Sequence, residues 1–146
     1  MESLHSILLS GVLILLALCT GAPAFGKEIY ESPESEQKVK DTMTVLQDGL
    51  DDLEDAVLQG DIDLAVKLSH EIDEASHSIC NIDLSRSALS KDEQQEFERL
   101  RKTLHFRTNK LTQAANKGNN DEILDQSYKV REACDTCHAE FKKKKK

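Results

Sequence analysis

Tryptophan is absent from the 146 residues, and only two tyrosines and four phenylalanines are present. Basic residues are scarce early on: residues 27–83 hold 4 Lys and Arg against 16 Asp and Glu. The whole chain carries a formal net charge of −8 and has no basic stretch laced with aromatics, so it lacks the means to neutralise phosphates. Nucleic-acid binding is set aside on that ground. Alternation of apolar and polar residues, the mark of a half-buried strand, is missing as well, which leaves an all-α reading. Apolar runs long enough to cross a bilayer are also lacking. The longest, Ile7 to Leu18, is too short to span one comfortably.

That run is followed by the small residues Thr20, Gly21, Ala22 and Ala24, the pattern of a secretory signal peptide. Cleavage after Ala24 uses Ala22-Pro23-Ala24, and cleavage after Gly26 uses Ala24 and Gly26; both stay open. Met1 to Ser6 hold no Lys or Arg, a departure from the usual cationic start. Leu18 is larger than the small residue that normally precedes a lipidated cysteine, which weighs against a lipid anchor on Cys19. The expectation is an exported, periplasmic chain that loses residues 1–26, keeps 27–146 as one domain without a membrane span, and carries a net charge of −7. Its charge is divided, because residues 84–146 hold 15 basic against 10 acidic side chains.

Apolar residues of the mature chain recur at spacings of three and four, with Gly, Asn and Ser between the runs, and this predicts four helices. Ser32 caps the first, with Pro33 at its first position, where a missing N–H costs nothing. Its seam is Val39, Met43, Leu46, Leu50, Leu53 and Val57, and Gly60 ends it. The second opens near Asp61, buries Ile62, Ala65, Leu68, Ile72, Ala75 and Ile79, and stops around Asn81. Asn81 to Ser90 have no helical period and read as a loop in which Ile82, Leu84 and Leu89 cover the bundle. Ser90 and Glu93 have capping-box spacing. The third seam is Phe97, Leu100, Leu104, Leu111 and Ala115, weakened by a gap at Arg107 and Thr108, with Gly118 as its stop. Asn119 and Glu122 are a cap pair for the fourth helix, whose face carries Ile123, Ser127, Val130, Cys134, Cys137 and Phe141. Short connections and a period near 3.5 predict an antiparallel left-handed four-helix bundle.

The chemistry is concentrated in Cys134-Asp135-Thr136-Cys137-His138. C-x-x-C-H is the attachment signature of c-type haem, in which each cysteine adds to a vinyl group and the histidine gives iron an axial nitrogen. On a helix Cys134 and His138 point the same way and Cys137 stands beside them, so one inward face can hold both thioethers and the imidazole. Two blander readings exist. A zinc site would need a fourth ligand such as Cys80, and exported proteins seldom keep zinc-thiolate sites. A thioredoxin-like dithiol would need a β-α-β context that is absent.

The stretch Val130 to Lys142, with C-x-x-C-H closing the last helix and an aromatic-basic pair three residues on, resembles the end of the cytochrome c-prime family. Helix order, length and motif position agree over the whole mature chain, by pattern and not identity outside the last helix. Lys142 stands where the family usually has Arg. The resemblance implies a monohaem protein with covalent haem on Cys134 and Cys137, His138 as proximal iron ligand, and no enzymatic activity. It also implies two branches. A methionine on the first helix closes the iron for electron transfer with a redox partner protein, whereas an apolar residue there leaves it five-coordinate and able to take nitric oxide or carbon monoxide. Met43 falls at the matching position and is the candidate distal ligand, set against the commoner role of a seam methionine as a core filler. A homodimer through the first two helices is a further implication, opposed by the like charges of Asp48, Asp51, Asp52, Glu54 and Asp55.

The other histidines read as solvated or peripheral. His70 and His77 share a face offset from the buried stripe of the second helix, and His105 would near a haem edge only if the third helix rotated. Cys80 is the leftover thiol, a small filler or a partner for an intermolecular disulfide. Lys142 to Lys146 form a basic tail that is solvated and suited to steering an acidic redox partner.

Overall fold

The computed structural model describes residues 32–142, which form four helices: α1 (Pro33–Gln59), α2 (Ile62–Cys80), α3 (Lys91–Lys117) and α4 (Asn120–Phe141). The segment expected to be a signal peptide, its two expected cleavage sites, Cys19 and Lys143 to Lys146 lie outside the described residues.

Each helix begins and ends where side-chain chemistry can satisfy its terminal backbone groups. Ser32 Oγ accepts from the Ser35 N–H at 3.2 Å while the Ser35 hydroxyl accepts from the Ser32 N–H at 3.0 Å, a reciprocal box, and Pro33 follows at the first helical position. Ser90 and Glu93 form the expected box in both directions, at 3.3 and 2.8 Å. Asn119 and Glu122 form only half of theirs. Asn119 Oδ1 accepts from the Glu122 N–H at 3.1 Å, but the Glu122 carboxylate turns to Lys117 Nζ instead, also at 3.1 Å. Gly60 and Gly118 end α1 and α3 at φ of 76° and 68°, a left-handed conformation that side chains with a Cβ resist.

Connections of two residues, 60–61 and 118–119, fold α1 back on α2 and α3 back on α4, and loop 81–90 does the same for α2 and α3, giving an antiparallel four-helix bundle. The predicted seams face inward, though Ile62, Ala75, Cys134 and Cys137 are only partly buried. Leu53, Ala65, Ile72, Leu111, Ile123 and Val130 are completely enclosed, and Met43 packs half-buried against them. The gap in the third seam is filled by Thr108, which exposes no surface. Its hydroxyl donates to Asp73 Oδ1 at 2.6 Å and lies 3.0 Å from Ser76 Oγ. Thr112 Oγ1 likewise donates to the Ser69 carbonyl at 3.1 Å, so α2 and α3 are joined by buried hydroxyls as well as apolar contact.

At the end of the bundle shared by the start of α1 and the finish of α4, Leu84 and Leu89 of the loop pack with Phe97, Leu100 and Phe141 in a second apolar cluster. The rings of Phe97 and Phe141 meet edge to face with centroids 5.2 Å apart, a favoured aromatic geometry. Among the described residues no helix is long and apolar enough to cross a membrane.

Candidate cofactor site

While the sequential helix pairs pack along their lengths, α1 and α4 meet only sparingly. Lower on this seam they are clamped. Arg131 of α4 donates through Nε to Glu54 Oε1 at 2.9 Å and through a terminal nitrogen to Asp51 Oδ1 at 2.6 Å, and the Ser127 hydroxyl lies 3.1 Å from the same Glu54 oxygen. Two of the α1 acids that argued against self-association are thus engaged within the chain. Beyond the clamp the helices part around a cavity of about 860 Å³. Its α1 wall includes Val39, Met43, Leu46 and Leu50; Ile82 and Phe97 close it from the loop and α3.

Cys134, Cys137 and His138 line this cavity from α4, together with Phe141. The inward face predicted from their spacing is the observed one. Met43 lines the same cavity from α1, so all four residues marked in the sequence as haem-binding share one space. Neither cysteine of the motif is in a disulfide.

The electrostatics of the motif follow from its burial. Burial pushes the Cys134 thiol up, helped by Asp135 and opposed by Arg131. The Cys137 thiol is pushed up to about 11, chiefly by burial and then by Cys134 and Glu96. Burial also holds His138 below the usual histidine range, with Lys142 acting in the same direction and Asp135 against it. At neutral pH the motif therefore presents two protonated thiols and a neutral imidazole with a free lone pair. A redox dithiol needs the opposite, a thiolate stabilised by positive surroundings. The zinc alternative fares no better. Cys80 does not line the cavity, and its thiol donates instead to the Arg101 carbonyl of α3 at 3.5 Å.

The cavity fits a covalently attached porphyrin. Its volume lies within the roughly 300–1,000 Å³ that cofactor sites take, and its inner wall of Val39, Leu46, Leu50, Ile82, Phe97 and Phe141 is apolar, while polar and charged side chains such as Glu36, Gln47 and Asp135 also line it. The donors are two thiols, an imidazole and a thioether. Lys40, Arg131 and Lys142 add positive charge suited to carboxylates of the porphyrin edge, against the acidic Glu36 and Asp135 of the same lining.

Residues 90–142 match the family model described as Cytochrome C'. The match takes in α3, α4 and the C-x-x-C-H motif, and it begins after α1 and Met43. No curated protein and no solved structure matches the chain.

Part of the site carries little signal in the sequence. Phe97, a residue of the third seam, is also a cavity wall, and Arg131 both lines the cavity and clamps its lower end. Its one signal was position, a basic residue a turn before Cys134 on an otherwise inward-facing helix. His70 and His77 are exposed, as expected. His105 does not line the cavity. It stands beside His77, with ring centroids 4.4 Å apart.

Proposed function

We propose that this chain is an exported, periplasmic monohaem c-type cytochrome that carries single electrons, with haem on Cys134 and Cys137, His138 as proximal ligand and Met43 as distal ligand. The observation that carries the reading is the convergence of these four side chains on one cavity. Haem, when bound, supplies an iron that alternates between ferric and ferrous states. The chain's own residues do the rest. Two thioethers tether the cofactor to α4. The neutral His138 imidazole offers its lone pair from the same helix face, and the Met43 thioether offers sulfur from α1. Leu46, Leu50 and Phe97 exclude water. A His/Met ligand pair raises the reduction potential relative to two histidines. The basic tail, Lys142 to Lys146, steers an acidic redox partner, and no reaction is catalysed.

A second reading is supported by the apolar neighbours of Met43. Val39, Leu46 and Leu50 line the cavity from the same helix, and were they to face the iron while Met43 merely packs, the haem would be five-coordinate and would bind nitric oxide or carbon monoxide.

Expression in a host with c-type maturation tests both. The expected product keeps haem through denaturing electrophoresis and is low-spin when ferrous. Met43→Ala is expected to convert it to a high-spin form that takes up carbon monoxide. An unmodified ferrous protein that is already high-spin and binds carbon monoxide readily would exclude Met43 as a ligand and favour the gas-binding reading.

A further inference from the structure

Asp73, His77 and His105 stand together on the α2 and α3 side of the bundle, and none of them lines the cavity. Asp73 and His77 are four residues apart, so on α2 their side chains lie a turn apart on one face, and His105 reaches the same place from α3. One potential ligand atom from each residue lies within 4.8 Å of the other two. His77 Nε2 is 3.8 Å from Asp73 Oδ2, and His105 Nδ1 is 3.9 Å from Asp73 Oδ1. Both separations are too long for a hydrogen bond. They are only a little longer than the roughly 3–3.5 Å between neighbouring ligands of a metal held at about 2.0–2.2 Å, a difference that small side-chain rotations close.

A second observation concerns His105 Nδ1 alone. This nitrogen is buried, although the His105 side chain as a whole is 40 % exposed, and it has no hydrogen-bond partner while facing a carboxylate. A buried ring nitrogen without a partner is costly, and the protein's own contacts do not account for it. The carboxylate opposite is held in place by a hydrogen bond to the same oxygen. Thr108, itself fully buried, donates to Asp73 Oδ1 at 2.6 Å, the kind of outer contact that orients a metal ligand.

We propose that Asp73, His77 and His105 form a binding site for a borderline divalent transition metal ion, Zn²⁺ or Cu²⁺, which bridges α2 and α3. Two imidazoles and one carboxylate suit these ions and not Mg²⁺ or Ca²⁺, which take oxygen ligands. The half-exposed His77 leaves the remaining coordination positions open to water. Binding ties two helices together, so the ion stabilises the bundle in proportion to its free concentration. The proposal does not depend on the haem reading.

The test uses the tag-free full-length chain with its free thiols alkylated, titrated with Zn²⁺ by calorimetry and counted by equilibrium dialysis. One ion per chain is expected, with a rise in melting temperature. His77→Ala and His105→Ala are each expected to weaken binding at least tenfold and to abolish the thermal shift, whereas His70→Ala, an exposed histidine on the same helix, leaves both unchanged. Thr108→Val weakens binding about tenfold through the loosened carboxylate. With Cu²⁺, nitrogen hyperfine structure in the electron paramagnetic resonance spectrum should simplify from a two-nitrogen to a one-nitrogen pattern in His77→Ala, a variant at an exposed position that serves should His105→Ala fail to fold. Binding that His77→Ala leaves intact, or no binding of Zn²⁺ at millimolar concentration, would overturn the proposal and reduce the trio to a carboxylate beside two imidazole rings that meet edge to face.

Discussion

Two seams of this bundle use the same spacing of apolar residues and end up with different interiors. Between α2 and α3 the helices are drawn together by small and hydroxyl side chains: Ser69 with Thr112, and Ser76 with Thr108 and Asp73. Between α1 and α4, large apolar residues stand apart around a cavity, and a single charged clamp at Arg131 holds the lower part. The difference reflects what each interior must satisfy. A buried hydroxyl needs a partner at a defined distance, so a polar seam fixes register and spacing. An apolar wall makes no such demand and can face a cofactor in place of another helix.

The sharpest way to break this contrast is to disarm the open seam. Cys134→Ala combined with Cys137→Ala is expected to abolish covalent haem completely, read as loss of haem stain on a denaturing gel; stain that persisted would mean that the cavity is not the attachment site. Next in size is Arg131→Met, which strips Glu54 and Asp51 of their partner across α1 and α4. Because Glu54 is partly buried, the expected loss is about 1.5–3 kcal/mol in urea denaturation. Thr108→Val should cost less, about 1–2 kcal/mol, since Ser76 can still donate to the Asp73 carbonyl. A larger loss at Thr108 than at Arg131 would place the main energetic tie in the α2–α3 seam. The smallest effect belongs to neither seam. Ser90→Ala removes one cap of α3 and is expected to cost about 1 kcal/mol, a local reference for the other two.

Helix limits were highly legible, because caps and stops act within a few residues. Ser32, Ser90, Gly60 and Gly118 all serve as their local chemistry requires. The inward faces were equally legible, since a spacing of three and four allows only one stripe. Glu122 shows where local reasoning failed. Its position suits a reciprocal cap, but Lys117 lies within reach and offers a full positive charge. Thr108 failed for a related reason. A hydroxyl in an apolar stripe looks like a gap until Asp73 and Ser76, more than thirty residues earlier, are known to stand opposite it.

By itself the sequence determined four helices, their order, their buried stripes and the grouping of Cys134, Cys137 and His138 on one face, because each of these depends on periodicity or on neighbours one turn away. Only the tertiary structure decided that α1 and α4 part around a cavity, that Met43 lines the same space as His138, that Arg131 clamps below it and that His105 sits beside His77 and Asp73 instead of the cavity. Those outcomes depend on how far apart two helices stand and how each is rotated about its axis, quantities set by the sum of side-chain volumes and buried partners across the bundle and by no single stretch of the chain.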